Sequence, residues 1–387
     1  MTGLHKAALV ASLVLLVVVT VLFAVDSPQI AGSALSACFA VAAYGVRGNE
    51  KLRGISFSLL IFAVVTFAMC YPAPLLSWGE FQLSGLITPL LQIIMFGMGT
   101  AMSARDFVGV VKAPKAVFIG LACQFTIMPF VGAGLAVAFD FPPEVAAGII
   151  LIGAAPSGLA SNVMAYIGKA NLALSVTLTT VATLLAPFIT PFYMQWLAGQ
   201  YIPIDAWGMM WSIVQITILP IIAGLIFNRF LHGRTDWLDR LMPKVSMAGI
   251  ALILMIMTAG GRDNLLEIGL VLIVVALLHN VTGYLLGYWS CRALRLDEKS
   301  CRTIAFEVGL QNAGLATGLA QIMGKMATVG LAPTVFGSLM NITGATLATW
   351  WRDRPTGGEA DELPAASASG RQAGTASPSA ARSPAED

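Results

Sequence analysis

The sequence predicts an all-α polytopic membrane protein with twelve transmembrane helices, and three observations support this fold class. First, 57% of the 387 residues are hydrophobic and 11% are charged. With a mean hydropathy of +0.81, this composition is unlike that of any soluble domain of similar size. Second, apolar runs long enough to cross a bilayer recur along the chain. Third, basic residues concentrate in every second loop. The lipid bilayer is therefore the expected environment.

The apolar runs have the length that spans about 30 Å of hydrocarbon, roughly 20 residues each. They lie at about 7–25, 29–46, 54–71, 86–103, 114–139, 143–167, 171–197, 206–228, 245–260, 266–290, 302–323 and 329–351. The first run resembles a signal peptide, because His5 and Lys6 precede it. Asp26 and Pro28 follow it without a small-residue cleavage site, so we expect a retained signal-anchor helix.

The distribution of charge predicts the orientation, because Lys and Arg in short loops stay on the cytoplasmic side. If the N-terminus is inside, all but two of the 22 Lys and Arg residues fall in cytoplasmic segments. The exceptions are Arg262 and Lys325. We therefore expect a multi-pass protein of the cell inner (plasma) membrane with both termini in the cytoplasm. The basic residues are spread along loops, so no nucleic-acid surface is expected, and no protein partner is predicted.

The spans divide the chain into four predicted segments. Residues 1–53 form two additional N-terminal transmembrane helices, and residues 54–200 and 201–352 form two five-helix repeats. Because five is odd, the second repeat must insert upside down relative to the first. Residues 353–387 are rich in Ala, Ser, Gly and Pro and cannot bury enough apolar surface to become ordered. We expect this segment to be a disordered cytoplasmic tail.

One acidic residue lies inside an apolar run. Among the 20 Asp and Glu residues, only Glu307 is placed there, and a charge at mid-bilayer costs on the order of 3 kcal/mol. Its neighbours Gly309, Gln311, Asn312 and Gly314 are polar or lack a side chain. An unwound stretch at this depth would expose carbonyls that can hold an ion. The alternative is close helix packing through small residues, with Glu307 merely hydrogen-bonded.

A second interruption lies in the sixth apolar run. Pro156, Ser157 and Gly158 break the helix, and Ser161 and Asn162 follow directly. The two interrupted spans are the fourth and ninth of the ten that begin at residue 54, which are matching positions in the two repeats. Such a pair indicates a transporter's binding site. Amides that begin a half-helix favour an anion, whereas carbonyl ends and a carboxylate favour a hard cation such as Na+.

Other polar residues inside spans are less specific. Ser175 and Thr179 are four residues apart and lie on one helix face, where they can complete an oxygen cage or make ordinary bonds to their own backbone. Gln124 is consistent with a site or with an interhelical hydrogen bond. For His279 and Asn280, packing is favoured over a proton relay.

Four segments carry a family resemblance. They are GMGTAMSARDF, QFTIMPF, PSGLASNVMAYIGKANLALSVTLTTVATLLAPFITP and FEVGLQNAGLATGLA. Together they resemble bacterial-type members of the bile acid:sodium symporter family over about residues 54–351. The resemblance implies a ten-helix core built from two inverted five-helix repeats. It also implies a panel domain and a core domain, with helices 4 and 9 crossing as broken helices.

The resemblance also implies two sodium sites and a substrate site. The first sodium site would use Ser161, Asn162, Ser175, Thr179 and Glu307. The second would use the side chains of Gln124, Glu307 and Gln311 with the carbonyls of Val308 and Leu310. The substrate would lie beside Ser157, Gly158, Leu159 and Asn312. Leu159 stands where the family often has threonine, so one side-chain hydroxyl is missing from this part of the site.

The expected function is that of a secondary active transporter and not of an enzyme. Two Na+ ions would drive symport of a small organic anion by alternating access, and family members carry bile acids, pantoate, pyruvate or other keto acids. One alternative is a proton-coupled or uncoupled organic-anion carrier of the same fold, with Glu307 exchanging a proton. A distant alternative is an intramembrane serine hydrolase that uses Ser157 or Ser161 with His279.

Overall fold

The computed structural model describes residues 3–49, 52–102, 113–231 and 236–356. Almost all of these residues are helical. The predicted disordered tail lies outside the described residues, except for its first four positions. Among the described residues a short antiparallel hairpin lies between the third and fourth helices, in which β1 (Ser77–Trp78) pairs with β2 (Phe81–Gln82).

Each apolar run predicted from the sequence overlaps at least one helix of the structure. In chain order the helices of the described residues are α1 Gly3–Ala24, α2 Pro28–Val46, α3 Ser56–Cys70, α4 Ile87–Ala101, α5 Pro114–Ala138, α6 Pro143–Ala154, α7 Ala160–Ile167, α8 Leu172–Tyr193, α9 Ala206–Ile213, α10 Leu219–Leu231, α11 Asp236–Gly260, α12 Arg262–Ala293, α13 Glu298–Gly309, α14 Ala313–Ile322 and α15 Leu331–Arg352. Short π-helical segments, Met194–Ala198 and Val214–Ile218, extend α8 and join α9 to α10.

Eight helical segments of the described chain are long and apolar enough to cross a membrane. The fourth and ninth core spans are not among them, because each is divided into two short helices. The helix α11 begins at Asp236, nine residues before the apolar run predicted at 245–260. Main-chain hydrogen bonding continues past the apolar pattern there, since a helix needs no apolar side chains to extend into the interface.

Local chemistry explains both breaks. The helix α6 ends where Ala155 becomes extended, with φ −69° and ψ 152°, because Pro156 disfavours a helical residue before it and donates no main-chain hydrogen bond. The helix α13 ends where Leu310 becomes extended, with φ −110° and ψ 95°. Asn312 then caps α14, and its side-chain oxygen accepts from the amide of Leu315 at 3.0 Å, which satisfies one of the free donors of the new helix.

The helices pack into two bodies with separate apolar cores. The larger core joins α5 to α8 with α12 to α15 and includes Met128, Leu178 and Phe336. The smaller core joins α4, α10 and α11 and includes Ile94 and Ile256. The helix α3 packs on α11, α2 on α3 and α1 on α2. The assignment of core and panel domains, the repeat boundaries and the inverted relation stay predictions.

The two half-helices that leave the breaks are buried to very different extents. The helix α14 is enclosed by α4 and α11 of the smaller core and by α6, α9 and α15 of the larger core, and Gly318 lies so close to Leu91 that a Cβ atom would be 2.2 Å from Leu91 Cδ1. The helix α7 is held by α8, α13 and α15, but Val163 and Tyr166 are 55% and 72% exposed. The bodies therefore meet around α14 and leave one face of α7 uncovered.

Candidate functional site

The two breaks cross and are joined by main-chain hydrogen bonds. The amide of Gly158 donates to the carbonyl of Leu310 at 2.9 Å, and the amide of Asn312 donates to the carbonyl of Pro156 at 2.7 Å. We call residues 156–158 and 310–312 the crossing. A Cβ atom at Gly158 would lie 2.8 Å from the carbonyl oxygen of Gln311. Glycine is therefore required for the two backbone segments to approach this closely.

Three helices bring oxygen atoms together next to the crossing. Ser175 Oγ on α8 donates to Glu307 Oε1 on α13 at 2.5 Å, and Thr179 Oγ1 lies 2.9 Å from Glu307 Oε2. Asn162 Oδ1 on α7 lies 2.8 Å from Ser175 Oγ and 3.3 Å from Thr179 Oγ1. Ser161 Oγ is 3.3 Å from the same threonine oxygen. All five residues predicted for the first sodium site are thus brought together.

This group has more acceptors than donors. Each of the Ser175 and Thr179 hydroxyls has one hydrogen but lies within reach of both the carboxylate and the amide oxygen of Asn162. Their oxygen lone pairs remain available to a cation. Hard cations prefer ligands of this kind, carboxylate, amide and hydroxyl oxygens. The chemistry of the donor set therefore fits Na+.

Glu307 has no basic partner in the part of the chain that the structure describes. It is 1% exposed, and its carboxylate oxygens contact the hydroxyl groups of Ser175 and Thr179. Arg302, on the same helix, is also buried, but its guanidinium bonds to Glu298 at 2.8 Å and to the carbonyl of Trp351 at 3.0 Å. A buried carboxylate is costly unless a charge compensates it, so a bound cation would stabilise its ionised form.

The residues predicted for the second sodium site surround the crossing. Gln124 Nε2 on α5 donates to Gln311 Oε1 at 2.8 Å, and Gln311 Nε2 donates to the carbonyl of Val308 at 2.6 Å. Gln124 Oε1 is buried without a hydrogen-bond partner, and so is Ser157 Oγ at the crossing. An unsatisfied buried oxygen costs about 1–3 kcal/mol, and a cation would give the amide oxygen of Gln124 a partner.

The residues predicted to contact substrate lie at the start of α7 and α14. Leu159 precedes α7 and makes no side-chain cap, so the first amides of this half-helix have no side-chain acceptor there. Free amides at a helix N-terminus attract an anion. Leu159 is 36% exposed, whereas the Asn312 side chain already caps α14. The structure therefore brings the predicted anion-binding groups to the edge of the crossing.

The residues of the hydrolase alternative do not come together. His279 Nε2 lies 3.0 Å from the carbonyl of Met128, and Ser161 Oγ donates to the carbonyl of Gly158 at 2.7 Å. No hydrogen bond joins His279 to Ser157 or Ser161 within the described residues. A nucleophile and its base must be within such reach, so the geometry gives no support to an enzyme.

Two buried polar residues near the broken ninth span have partners that the sequence alone does not reveal. Arg302, one of the basic residues predicted to be cytoplasmic, is 2% exposed and anchors the end of α15. Asn280, for which the sequence favours packing, is buried, and its Nδ2 donates to the carbonyl of Gly309 at 2.7 Å, where α13 ends. The signal for Asn280 was a polar residue inside an apolar run, and its partner could not be deduced without the fold.

Comparisons with known proteins identify the family of this chain. Residues 88–268 match the sequence model of the sodium bile acid symporter family. The chain is also 41% identical over 309 residues to the uncharacterized sodium-dependent transporter YocS of Bacillus subtilis (strain 168), which covers 79% of this chain and 94% of that relative. The chain belongs to the sodium bile acid symporter family. The resemblance found in the four sequence segments is confirmed.

Plant relatives of the family align over similar lengths. The probable sodium/metabolite cotransporter BASS1, chloroplastic, of Arabidopsis thaliana is 34% identical over 264 residues, 68% of this chain and 65% of the relative. The probable sodium/metabolite cotransporter BASS3, chloroplastic, of the same plant is 32% identical over 316 residues, 79% of this chain and 72% of the relative. As a member of the sodium bile acid symporter family, the protein is a multi-pass membrane transporter and not an enzyme.

Proposed function

We propose that the protein is a sodium-coupled symporter that carries a small organic anion across the inner membrane by alternating access. The observation that carries this proposal is the buried carboxylate of Glu307, which contacts the hydroxyls of Ser175 and Thr179 without a basic partner among the described residues. A proton or a cation must compensate such a group when the protein cycles. The oxygen-rich surroundings favour Na+.

Two Na+ ions are proposed to bind on either side of the crossing. The first would be held by Glu307 with the hydroxyl and amide oxygens from α7 and α8. The second would be held by Gln124, Gln311 and the main-chain carbonyls next to Glu307. The unpaired oxygen of Gln124 supports the second site. Because both ions share one carboxylate, binding of the first ion removes part of the cost of ordering the crossing for the second.

The substrate is proposed to be a small carboxylate such as pyruvate or pantoate. Its carboxylate would bind the amides at the start of α7, beside Ser157, Gly158 and Leu159, with Asn312 on the opposite side of the crossing. The names of the plant relatives, sodium/metabolite cotransporters, support a metabolite as cargo. Two Na+ with one monovalent anion carry one net charge per cycle, which is worth about 2.3 kcal/mol per 100 mV of membrane potential.

Alternating access is proposed to be a movement of the two bodies past each other. Their apolar cores are separate, so each can move without disrupting its own packing. Both sodium sites and the anion site lie within the larger body, at the crossing. With the predicted orientation, both termini face the cytoplasm, and α7 and α14 lead from the crossing to opposite sides of the membrane.

The test is uptake of labelled pyruvate and pantoate into proteoliposomes. With an inward Na+ gradient we expect saturable uptake, and with K+ in place of Na+ we expect at least a tenfold lower rate. The substitution Glu307→Ala should abolish the sodium-dependent part, because the shared ligand of both ions is lost. The matched control is Glu144→Gln, which removes the charge of a partly exposed carboxylate that pairs with Lys325, away from the crossing.

Three results would contradict the proposal in different ways. Uptake that is indifferent to Na+ but follows a proton gradient would indicate the proton-coupled alternative, with Glu307 as the proton carrier. Uptake that follows neither gradient would indicate facilitated diffusion. Equal sodium-dependent uptake by wild type and Glu307→Ala would show that this carboxylate does not bind the coupling ions.

A further inference from the structure

Three consecutive carbonyls at the end of α13 are each held by a different group. The carbonyl of Val308 accepts from Gln311 Nε2, and that of Leu310 accepts from the amide of Gly158. Both of these donors belong to the crossing itself. The carbonyl of Gly309, which lies between them, accepts instead from Asn280 Nδ2 on α12 at 2.7 Å. Asn280 therefore binds this turn from α12, a helix that contributes no residue to the crossing.

The orientation of the Asn280 amide is determined by its neighbours. A carbonyl oxygen only accepts hydrogen bonds, so the amide nitrogen must face Gly309. On the other side, Thr343 Oγ1 of α15 lies 2.5 Å from Asn280 Oδ1 and donates to it. Tyr284 is next in the chain of contacts, with its hydroxyl 3.3 Å from Thr343 Oγ1. Linked donors of this kind polarise one another and hold each group in one direction.

Close packing brings α12 to this position. A Cβ atom at Gly283 would lie 3.1 Å from the Cα atom of Gly309, and a Cβ atom at Gly287 would lie 3.1 Å from the Cβ atom of Val308. A Cβ atom at Gly309 would lie 2.2 Å from the ring of Tyr284. Glycines on both helices thus allow the backbones to touch, and the Asn280 side chain can then reach a main-chain carbonyl of α13.

We propose that Asn280 is a positioning residue for the second sodium site. By holding the carbonyl of Gly309 towards α12, it orients the two adjoining peptide groups, and with them the carbonyls of Val308 and Leu310 that would face the ion. Asn280 itself does not contact the ion. This inference rests on the proposed sodium coupling and adds to it a group outside the ion-binding residues.

The place of this bond distinguishes it from the other buried polar contact of the same helix turn. Asn280 is 1% exposed and holds the one carbonyl that separates two predicted ion ligands. Its neighbour His279 is equally buried, but it contacts the carbonyl of Met128 on α5, a helix that continues past that residue. The two adjacent residues therefore make the same kind of bond in two different places. This difference makes His279 the matched control.

The test is a sodium titration of the purified full-length protein, in which the melting temperature is measured at each Na+ concentration. NaCl replaces KCl at constant ionic strength, so the probe is Na+ alone and no substrate is needed. A ligand that binds only the folded state stabilises it by RT ln(1 + c/Kd), where c is here the Na+ concentration, so the rise of the melting temperature with Na+ concentration gives the half-saturating concentration. We expect Asn280→Leu to raise the half-saturating Na+ concentration about tenfold or more, as is typical when the support of a metal ligand is lost.

Further variants separate positioning from stability. His279→Leu should lower the melting temperature in KCl but leave the half-saturating Na+ concentration within about twofold of wild type. Thr343→Val, which removes the donor to Asn280, should shift the titration in the same direction as Asn280→Leu but less, and Thr343→Ser should restore it. These two variants keep the test decisive if Asn280→Leu does not fold.

The outcomes distinguish this inference from the proposed function. If wild type responds to Na+ and Asn280→Leu or Thr343→Val titrates like wild type, Asn280 has no positioning role, while sodium coupling stands. If wild type itself does not respond to Na+ over K+, sodium coupling and the role of Asn280 are both overturned. A shift in Asn280→Leu that His279→Leu reproduces would show that any loss of a buried α12 contact affects sodium binding, and would also overturn the inference.

Discussion

Two hydroxyl side chains on α8 contact the buried carboxylate of Glu307. Ser175 and Thr179 are four residues apart, so both lie on the helix face that meets Glu307, and each reaches a different carboxylate oxygen. A hydroxyl stabilises the ionised carboxylate by donating, and it can rotate to offer its lone pairs when a cation binds. The same pair therefore serves the ion-free and the ion-bound protein.

Removing either hydroxyl should weaken sodium binding without preventing folding. We expect Ser175→Ala or Thr179→Val to raise the half-saturating Na+ concentration about tenfold, which corresponds to about 1.4 kcal/mol. The measurement is a sodium titration of tryptophan fluorescence in purified protein. Thr183→Val is the control, because the Thr183 hydroxyl donates to the carbonyl of Thr179 and is one turn away from the carboxylate. Sodium affinities equal to wild type in both site variants would contradict a cation site here.

At the residue scale the sequence predicted identities better than contacts. Glu307, Ser161 and Asn162 stood out because polar groups are rare inside apolar runs, and the structure brings them together. Gln124 and Asn280 looked alike in the sequence, as single polar residues in spans. One has an unpaired oxygen at the crossing and the other holds a carbonyl of α13. Rotation of a helix about its axis decides such partners, and one sequence does not contain that rotation.

At the scale of elements, close contact between α4 and α10 depends on glycines on both helices. A Cβ atom at Gly224 would lie 2.2 Å from the carbonyl oxygen of Phe96, and a Cβ atom at Gly99 would lie 2.2 Å from that of Ile221. Both obstacles are main-chain atoms, which cannot rotate away. These helices form the centre of the smaller body, so its shape depends on their separation.

Alanine at Gly224 should therefore destabilise the protein, although alanine is the better helix former. We expect Gly224→Ala to lower the melting temperature by several degrees, since overpacking of this kind costs about 1–3 kcal/mol. Gly134 on α5 is the matched control, because a Cβ atom there would meet nothing within 4 Å. Gly134→Ala should leave the melting temperature unchanged or raise it slightly. If Gly224→Ala and Gly134→Ala change the melting temperature equally in a thermal unfolding assay, the close contact between α4 and α10 is contradicted.

The polytopic helical fold was predictable from apolar length, and eight helical segments of the described chain are long and apolar enough to span a membrane, whereas the orientation stays a prediction. Both broken spans were also predictable, from Pro156 and from the polar residues that follow Glu307. The early start of α11 and the hairpin between α3 and α4 were not. In these segments hydropathy alone does not distinguish a helix from a turn.

At the scale of the whole molecule, α7 and α14 differ in how much of their surface the rest of the protein covers. The helix α14 is enclosed by both bodies, whereas Val163 and Tyr166 leave one face of α7 uncovered. The charge pattern predicts that α7 leads to the cytoplasm. We therefore expect this state of the protein to open inwards, with the outer side closed by the contact of Leu91 with Gly318.

Labelling from one side of the membrane tests this state. A cysteine in Tyr166→Cys should react with a membrane-impermeant thiol reagent added to the cytoplasmic side, in a protein whose five natural cysteines are replaced by serine or alanine. A cysteine in Thr317→Cys, buried on α14, should react at least tenfold more slowly from either side. Faster labelling of Thr317→Cys from the outer side would instead indicate an outward-open protein.

The main-chain bonds at the crossing also constrain how the protein is made. Gly158 and Leu310 are separated by about 150 residues, which take roughly 8–30 s to synthesise. During that interval the break after α6 has no partner, and lipid offers its amide and carbonyl groups no hydrogen bonds. The first half must therefore wait in a sheltered environment until α13 and α14 are inserted. A substitution that weakens the crossing would then reduce the amount of protein that reaches the membrane as well as the activity of each molecule.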